Sequence, residues 1–244
     1  MKNYYFVAAS LPDIKLDQEL EITFSGLMEL FAMNLSKGDR EQIALFRNYF
    51  DVENVFHLMR GESFNPKGNF FRGELEEAIL HVQGLPNFLA EFLSRYTKDE
   101  ERQQNSFIAY ELYFRETIEQ VEGFLRDYLL FERKLRLCLA AYRAKQEERP
   151  WEHELIEEER TETFTMQLLA QKEGKTLDFP FEFRDLYEKL QEANTPRKQN
   201  RAMAKYRLEK IDEMSEFPLF SFEFLIAYMA KLVILEEVNN VVSR

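Results

Sequence analysis

Cysteine, glycine, proline and tryptophan are all scarce in this sequence of 244 residues. It has one cysteine, eight glycines, seven prolines and one tryptophan. The single cysteine, Cys138, excludes an intrachain disulfide and is typical of a reducing, cytoplasmic setting. Because Cys138 lies between Leu137 and Leu139, we interpret it as a small buried hydrophobic residue rather than a nucleophile.

Positive charge and long apolar runs are also limited. Lysine and arginine total 32 against 44 aspartates and glutamates, which gives a net charge of -12. This balance argues against a nucleic acid partner, since phosphate contacts need a basic surface. The longest apolar segment, residues 217–235, contains Pro218, Glu223 and Lys231, so we expect no insertion into the membrane. The apolar run at residues 4–11 is too short and too aromatic for a signal peptide.

No arrangement of residues in the sequence indicates a particular reaction. The three histidines, His57, His81 and His153, are dispersed, and each is interpreted as a surface or core residue. His153 begins a run that resembles the zincin helix, but Glu157 replaces its second histidine. The Glu-x-x-His pairs of diiron carboxylate proteins do not occur. We therefore expect no catalytic residue and no metal site.

Phosphate-binding motifs are missing as well. Gly68 and Gly73 have the spacing of the P-loop glycines, but Glu74 and Leu75 stand where Lys and Ser or Thr would contact phosphate and magnesium. The dinucleotide motif G-x-G-x-x-G and the hydrolase motif G-x-S-x-G do not occur either. The sequence predicts no cofactor.

Amphipathic helical patterning is abundant. From Phe107 to Tyr142, apolar residues recur every three or four positions, which predicts one long central helix over about residues 99–146, or two helices in line with a bend. The apolar stripe consists of Phe107, Tyr110, Phe114, Ile118, Val121, Leu125 and Tyr128. The opposite face, predicted to be solvated, carries Glu111, Arg115, Glu119, Glu122 and Arg126.

Similar reasoning predicts helices along most of the remaining chain, and no segment alternates with the period of a strand. The predicted ranges are 25–35, 39–61, 74–83, 86–96, 152–172, 181–191, 195–214 and 219–242. We therefore predict an all-α fold, a multi-helix bundle that forms a single domain over residues 1–244. A division into two lobes is the alternative, with a boundary near 144–152, where the chain is highly charged.

Two charged runs and one aromatic loop are candidate contact surfaces. Residues 147–162 are rich in glutamate, whereas residues 197–210 are basic. They are interpreted as solvated faces that attract each other, or as docking sites for an oppositely charged partner helix. In the glycine-rich loop Gly61–Gly73, Phe70 and Phe71 either pack on their own core or anchor an interface.

Three segments resemble known families. The opening residues 4–12 (YYFVAASLP) resemble the start of an uncharacterised bacterial family encoded in V-type ATPase operons. Residues 51–61 (DVENVFHLMRG) resemble the helix of the V/A-type ATPase C-subunit family that carries D-x-x-N followed by Leu-Arg. Residues 225–231 (LIAYMAK), followed by Glu236, are similar to the closing helix of that family. The resemblance marks Asp51, Asn54, Arg60, Tyr228, Lys231 and Glu236, and together with the loop residues Phe70 and Phe71 these are the candidate partner-binding or scaffold residues.

The C subunit of V/A-type ATPases is an all-helical, lobed protein that links the rotating central stalk to the membrane rotor ring and has no active site. The resemblance therefore implies stalk and rotor subunits of a V-type ATPase as partners, and a cytoplasmic position peripheral to the membrane. The chain is shorter than that protein, and Glu132 and Leu135 replace the Asp and Asn in its second candidate motif. This departure implies that a third lobe is missing or reduced.

Three hypotheses follow. The first is a non-catalytic V-type ATPase protein, C-subunit-like or accessory, that acts through protein contacts. The alternatives are an unrelated cytoplasmic helical scaffold and an enzyme with a carboxylate metal site. For the Asp51–Asn54 pair, a scaffold role is favoured over partner contact, with Asp51 capping a helix start and Asn54 satisfying local backbone groups.

Overall fold

The regular structure of this chain is helical. A computed structural model describes residues 4–149, 155, 158, 162–171 and 179–242, and these contain twelve α-helices, short 3-10 turns and no strand. This confirms the all-α prediction. The helices are α1 Tyr5–Ser10, α2 Phe24–Asn34, α3 Lys37–Arg60, α4 Arg72–His81, α5 Asn87–Arg95, α6 Asp99–Gln104, α7 Ser106–Gln120, α8 Gly123–Gln146, α9 Thr163–Leu169, α10 Arg184–Glu192, α11 Pro196–Glu213 and α12 Phe222–Val242.

The chain divides into two compact units. The middle unit comprises Phe24–Arg126, and the terminal unit comprises Met1–Thr23 together with Asp127–Arg244. These divisions do not coincide with the lobe boundary that the sequence suggested near 144–152. A contiguous split would separate the two ends of the chain, whereas the observed terminal unit contains both of them.

Helix α3 runs without interruption through the middle unit. The hydroxyl of Ser36 accepts a hydrogen bond from the backbone amide of Asp39. The helix ends at Arg60 and is capped by Gly61, whose φ of 67° suits glycine. The helix therefore begins at Lys37, two residues before the predicted start at 39. Its buried side chains pack mainly against α7 and also against α4 and α6.

Aromatic rings fill the core of the middle unit. The ring of Tyr113 is fully buried and makes edge contacts with Phe88, Phe114 and Tyr49, with ring centroids 5.0–5.8 Å apart. Its hydroxyl donates to the backbone carbonyl of Phe46 at 3.2 Å. Such ring pairs contribute about 0.5–1.5 kcal/mol each beyond the burial of their area.

The predicted long central helix is divided into three. Residues 99–146 are helical over α6, α7 and α8, with breaks at Asn105 and at Val121–Glu122. The second break is set by Gly123, whose φ of 58° lies outside the right-handed helical region. The prediction of a solvated face is wrong at Glu111, which is 5% exposed.

The terminal unit has its own core. Helices α11 and α12 pack together, and residues 225–230 and 232–235 of α12 are all buried, consistent with its nearly all-round apolar sequence. A second cluster joins α8, α9, α10 and α11, and includes Leu135, Phe164, Leu186 and Tyr206. Cys138 belongs to this cluster and is fully buried, and burial raises the pKa of its thiol. Its interpretation as a core residue is confirmed.

Two further sequence predictions concern regions that the structure describes only in part. Of the predicted helix 152–172, α9 is seen over Thr163–Leu169, while residues 152–154, 156–157, 159–161 and 172 lie outside the described residues. His153 and Glu157 are among these. In the part of the chain that is described, none of the helices combines the length and apolarity that crossing a bilayer requires.

Candidate partner-binding surfaces

Asp51 holds a loop against the side of helix α3. Its side chain is fully buried. Its Oδ1 accepts hydrogen bonds from the backbone amides of Asn69 at 2.8 Å and Phe70 at 3.3 Å, and its Oδ2 accepts one from the Asn69 side chain at 2.8 Å. The same Asn69 amide group reaches Asn48 and the carbonyl of Ala44. The carboxylate thus substitutes for backbone acceptors that an irregular loop cannot supply.

Asn54, one helical turn further along α3, fixes the other half of the loop. Its Oδ1 accepts the backbone amide of Asn65 at 2.7 Å, and its Nδ2 donates to the carbonyl of Asn65 at 2.9 Å. Asn65 in turn donates from its side chain to Glu53 at 2.6 Å. A side-chain amide that pairs with both backbone groups of one residue mimics a short piece of β-ladder.

Gly68 allows the loop to approach this closely. A Cβ at position 68 would overlap Oδ1 of Asp51 and lie 2.9 Å from Nδ2 of Asn54. Arg47, one turn before Asp51, donates to the carbonyls of Lys67 and Gly68. Burial raises the pKa of Asp51, although hydrogen bonds from Asn69 and Phe70 and the Arg47 charge all act to lower it.

The anchored loop leaves Phe71 exposed at its end. The backbone amide of Phe71 donates to Glu74 at 2.9 Å, which fixes the start of α4, and its ring is 77% exposed. Phe70 is only partly exposed. Arg60 forms a two-pronged ion pair with Glu62 at 2.7–2.8 Å, and because this pair is on the surface it contributes little to stability.

The proposed helix-start role of Asp51 is wrong. Asp51 lies in the interior of α3, and its partners are 18 and 19 positions further along the chain. The scaffold role of the pair fits the geometry, because Asp51 and Asn54 are buried and bonded to the loop backbone.

A second group of the sequence-predicted residues lies on α12 in the terminal unit. The hydroxyl of Tyr228 donates to the carbonyl of Pro12 at 2.9 Å, so the first and last resembling segments are in direct contact. Lys231 forms an ion pair with Asp212 of α11. Glu236 is partly exposed near the end of the helix.

These elements enclose a groove, which we call the terminal groove. Its volume is about 450 Å³, and its lining residues are Leu11, Pro12, Asp13, Ile14, Ser215, Phe217, Leu219, Phe224, Ala227, Tyr228 and Lys231. The eight sequence-predicted residues are therefore divided between the units: Asp51, Asn54, Arg60, Phe70 and Phe71 lie in the middle unit, and Tyr228, Lys231 and Glu236 lie in the terminal unit.

Comparison with known proteins places the whole chain in one family. The family model described as protein of unknown function (DUF2764) matches residues 1–242. The chain belongs to the DUF2764 family. Three chlamydial relatives, all described as uncharacterized proteins, are similar to this DUF2764 chain. The one from Chlamydia pneumoniae is 25% identical over 94% of this chain and 89% of its own length. Those from Chlamydia trachomatis and Chlamydia muridarum are 24% and 23% identical over 88% and 93% of this chain, and over 84% and 88% of their own lengths. No solved structure matches.

The basic run of this DUF2764 chain is largely engaged within its own unit. Arg201 pairs with Asp17, Lys210 pairs with Glu213, and Lys205 lies 3.8 Å from Glu209. These contacts favour solvated, internally balanced faces over an open basic docking site.

One basic residue of that run is enclosed in a polar cluster. The guanidinium of Arg207 donates to Glu132 at 2.8 Å, Glu237 at 3.1 Å and the hydroxyl of Tyr128 at 3.4 Å. It ties α11 to α8 and α12, and is therefore structural.

Sequence reasoning missed the partners of Asp51 and Asn54. Arg47, Asn65 and Asn69 complete the loop anchor, and Leu219 adds an apolar side chain to the terminal groove. A usable signal was the pair of asparagines in the short loop 62–71, because asparagine there often bonds to backbone groups. Leu219 carries no such signal.

The residues that the structure describes do not form a metal site. Within residues 4–149, 155, 158, 162–171 and 179–242, no three His, Cys, Asp or Glu side chains are grouped as ligands of one ion. His57 lies 3.6 Å from Glu62, and His81 is exposed at the end of α4.

Proposed function

We propose that this chain is a non-catalytic V-type ATPase protein, C-subunit-like or accessory, that links the central stalk to the membrane rotor ring through protein contacts. The proposal starts from the three resembling segments, 4–12, 51–61 and 225–231. Those segments resemble families in which helical surfaces, rather than an active site, are expected to carry the function. The all-α fold of this chain agrees with such a role.

The observation that carries the proposal is that each of the three segments builds or supports an apolar surface. Residues 4–12 and 225–231 meet at the bond between Tyr228 and Pro12, beside the terminal groove. Residues 51–61 hold the loop that displays Phe71. Each segment therefore builds or supports an apolar contact surface, which is what a protein that links other subunits requires.

The middle unit offers a matched pair of variants for the test. Phe71 and Met33 are both 77% exposed, but only Phe71 lies on the loop that the resembling segment anchors. A tagged peripheral ATPase protein would be purified from the native organism, and the co-purifying amount of this chain measured by quantitative mass spectrometry. We expect wild type and Met33→Ser to co-purify equally, and Phe71→Ser to fall about tenfold, the equivalent of ~1.4 kcal/mol of binding free energy.

Two results would contradict the proposal. Absence of the wild-type chain from the purified ATPase, with the chain present in the same extract, would refute the ATPase assignment. Equal recovery of Phe71→Ser and Met33→Ser would remove the loop from the interface. Thermal unfolding of both variants, expected to match wild type because both side chains are exposed, excludes loss of folding as the cause.

A further inference from the structure

The terminal groove has an apolar lining. Leu11, Ile14, Phe217, Phe224 and Ala227 contribute to it, and Leu219 at its edge is 66% exposed. Its volume of about 450 Å³ lies within the ~300–1,000 Å³ typical of pockets that bind a ligand or side chains of a partner. An apolar groove continued by an exposed leucine is a candidate contact surface.

The groove is also preformed. Tyr228 donates to the carbonyl of Pro12 at 2.9 Å, and the backbone amide of Tyr4 donates to the carbonyl of Phe220 at 2.7 Å. The ring of Tyr5 packs on that of Phe220 with centroids 4.6 Å apart. Residues 4–12 are therefore fastened at both ends to the elements opposite, and little ordering is required when a partner binds.

The rim of the groove is acidic. Asp13 and Asp212 are paired with Lys15 and Lys231, so their charges are locally balanced. Glu21 adds a further negative charge close enough to act on the Tyr228 hydroxyl, and burial, Asp13 and Glu21 together raise the pKa of that hydroxyl.

Glu216 is a further carboxylate close to the groove in the sequence. It is exposed and lies between Ser215 and Phe217, which both line the groove. We call the charged side chains on or near the lining residues the rim. With the two pairs balanced, Glu21, whose charge acts on Tyr228, and the exposed Glu216 leave this rim with a net negative charge, so it attracts cationic partners and repels anionic ones.

A second copy of this chain is a poor occupant of the groove. Each copy carries a net charge of -12, so two copies repel one another. An anionic lipid surface is disfavoured for the same reason. A basic segment with apolar side chains matches both the rim and the lining.

We propose that the terminal groove docks an amphipathic segment of another protein that inserts apolar side chains between residues 11–14 and α12 and places lysines or arginines against the acidic rim. This inference goes beyond the proposed function, because it concerns the chemistry of the occupant and holds whether or not that protein belongs to an ATPase. The apolar contacts supply affinity, and the charges orient the segment.

Model peptides test the proposal on the full-length chain. The probe is a fluorescein-labelled peptide of leucine and lysine about 18 residues long, roughly five helical turns, with leucines on one face. Two controls replace every lysine by glutamate or scramble the order of the same residues. Fluorescence anisotropy should give a Kd at least about tenfold lower for the amphipathic lysine peptide than for either control.

Matched variants locate the binding. Leu219→Ser and Glu216→Lys should each raise the Kd about tenfold. Met166→Ser and Glu188→Lys, which change an exposed methionine and an exposed glutamate of the same unit away from the groove, should leave it unchanged. All four positions are solvent-accessible, and circular dichroism confirms that each variant folds.

Several outcomes overturn the inference. Equal weakening by Glu216→Lys and Glu188→Lys would mean that the peptide binds to the acidic surface as a whole. Equal affinity for the scrambled peptide would remove the requirement for an apolar helical face. A concentration-dependent dimer in sedimentation velocity, abolished by Leu219→Ser, would assign the groove to self-association. None of these results depends on the recovery of ATPase subunits, so failure here is distinguishable from failure of the proposed function.

Discussion

The backbone amide of Asn69 donates to Oδ1 of Asp51 at 2.8 Å, across 18 positions of the chain. The carboxylate sits in the interior of α3, where an aspartate is otherwise unfavourable. Its presence is explained by three donors that converge on it: two backbone amides, of Asn69 and Phe70, and the side-chain amide of Asn69. The position of residues 69–70, and with them the exposed Phe71, depends on this side chain, while Asn54 and Arg47 hold the earlier part of the loop.

Removal of the Asp51 carboxylate should destabilise the chain. Asp51→Ala leaves two backbone amides without their acceptor and removes one of the three acceptors of the Asn69 side chain, and we expect a loss of about 2–4 kcal/mol in the free energy of unfolding. Asp51→Asn keeps an oxygen for the two backbone amides and should cost less. Urea unfolding measures both, with Asp127→Ala at an exposed position as the control, expected within about 0.5 kcal/mol of wild type. An Asp51→Ala midpoint equal to that of the control would contradict the anchoring role.

The same carboxylate should give stability a distinctive pH dependence. Burial raises the pKa of Asp51 above its ordinary value of 3.8. Between that value and its native pKa, the folded chain holds a proton that the unfolded chain has released, so rising pH favours the unfolded state. Asp51→Asn has no such proton. The stability of wild type relative to Asp51→Asn should therefore be greatest below pH 3.8 and fall as pH rises through the native pKa of Asp51. An increase over this window, measured by urea unfolding at each pH, would contradict the raised pKa.

Two glycines of the same loop region should respond in opposite directions to alanine. At Gly68 the added methyl group would overlap Oδ1 of Asp51 and lie 2.9 Å from Nδ2 of Asn54, so Gly68→Ala must displace the loop. We expect a loss of about 1–3 kcal/mol, the usual cost of overpacking.

Gly73 provides the control. It lies in α4, and a Cβ there meets no atom within 4 Å. Gly73→Ala should raise stability by about 0.4–1 kcal/mol, because alanine restricts the unfolded chain and favours helix. A lower midpoint of thermal unfolding for Gly68→Ala and a higher one for Gly73→Ala would support the close approach of the loop to α3 at Gly68. A neutral Gly68→Ala would show that the loop is free to move away from α3.

The parts of the fold that sequence reasoning predicted are those encoded by neighbouring residues. Thr195 followed by Pro196 correctly indicates the start of α11, where the Thr195 hydroxyl accepts the backbone amide of Lys198. A bend in the central stretch was one of the predicted alternatives, but the position of the break before α8 was not predicted, because glycine is tolerated in helices at a cost of ~1 kcal/mol. Its positive φ becomes visible only when the surrounding packing demands a turn.

The candidate sites were harder to predict because their partners are distant in sequence. Asp51 was recognised, but Asn69 as its donor requires the loop to fold back on α3. The contact between Tyr228 and Pro12 spans 216 positions. No local pattern encodes such a contact, so the terminal groove could be found only from the structure.

The enclosed charge of Arg207 predicts a strong coupling with Glu132. Their side chains are 17% and 16% exposed and lie 2.8 Å apart. Arg207→Met should cost about 2–3 kcal/mol, below the ~3–5 kcal/mol of a fully buried pair because some solvent reaches these side chains.

A double-mutant cycle separates the pair from its surroundings. Combining Arg207→Met with Glu132→Leu should recover part of the loss, since no unpaired carboxylate then remains. Arg197→Met, at an exposed position of the same helix, is the control for the loss of one positive charge. Strict additivity of the two single changes in urea unfolding would mean that the ion pair does not stabilise the terminal unit.

Loss of the hydrogen bond between Tyr228 and Pro12 should loosen the chain locally rather than throughout. Tyr228→Phe removes the hydroxyl that reaches across to the Pro12 carbonyl, at a cost of about 0.5–1.5 kcal/mol. Because the bond fastens residues 4–14 to α12, their amides should exchange hydrogen faster, while those of α3 in the middle unit should not change. Tyr187→Phe is the matched control, since Tyr187 contacts the rings of Tyr142 and Phe179 through its own ring, which phenylalanine keeps. Hydrogen exchange followed by mass spectrometry measures both variants. Equal exchange at residues 4–14 in wild type and Tyr228→Phe would show that this hydroxyl does not hold the wall of the terminal groove.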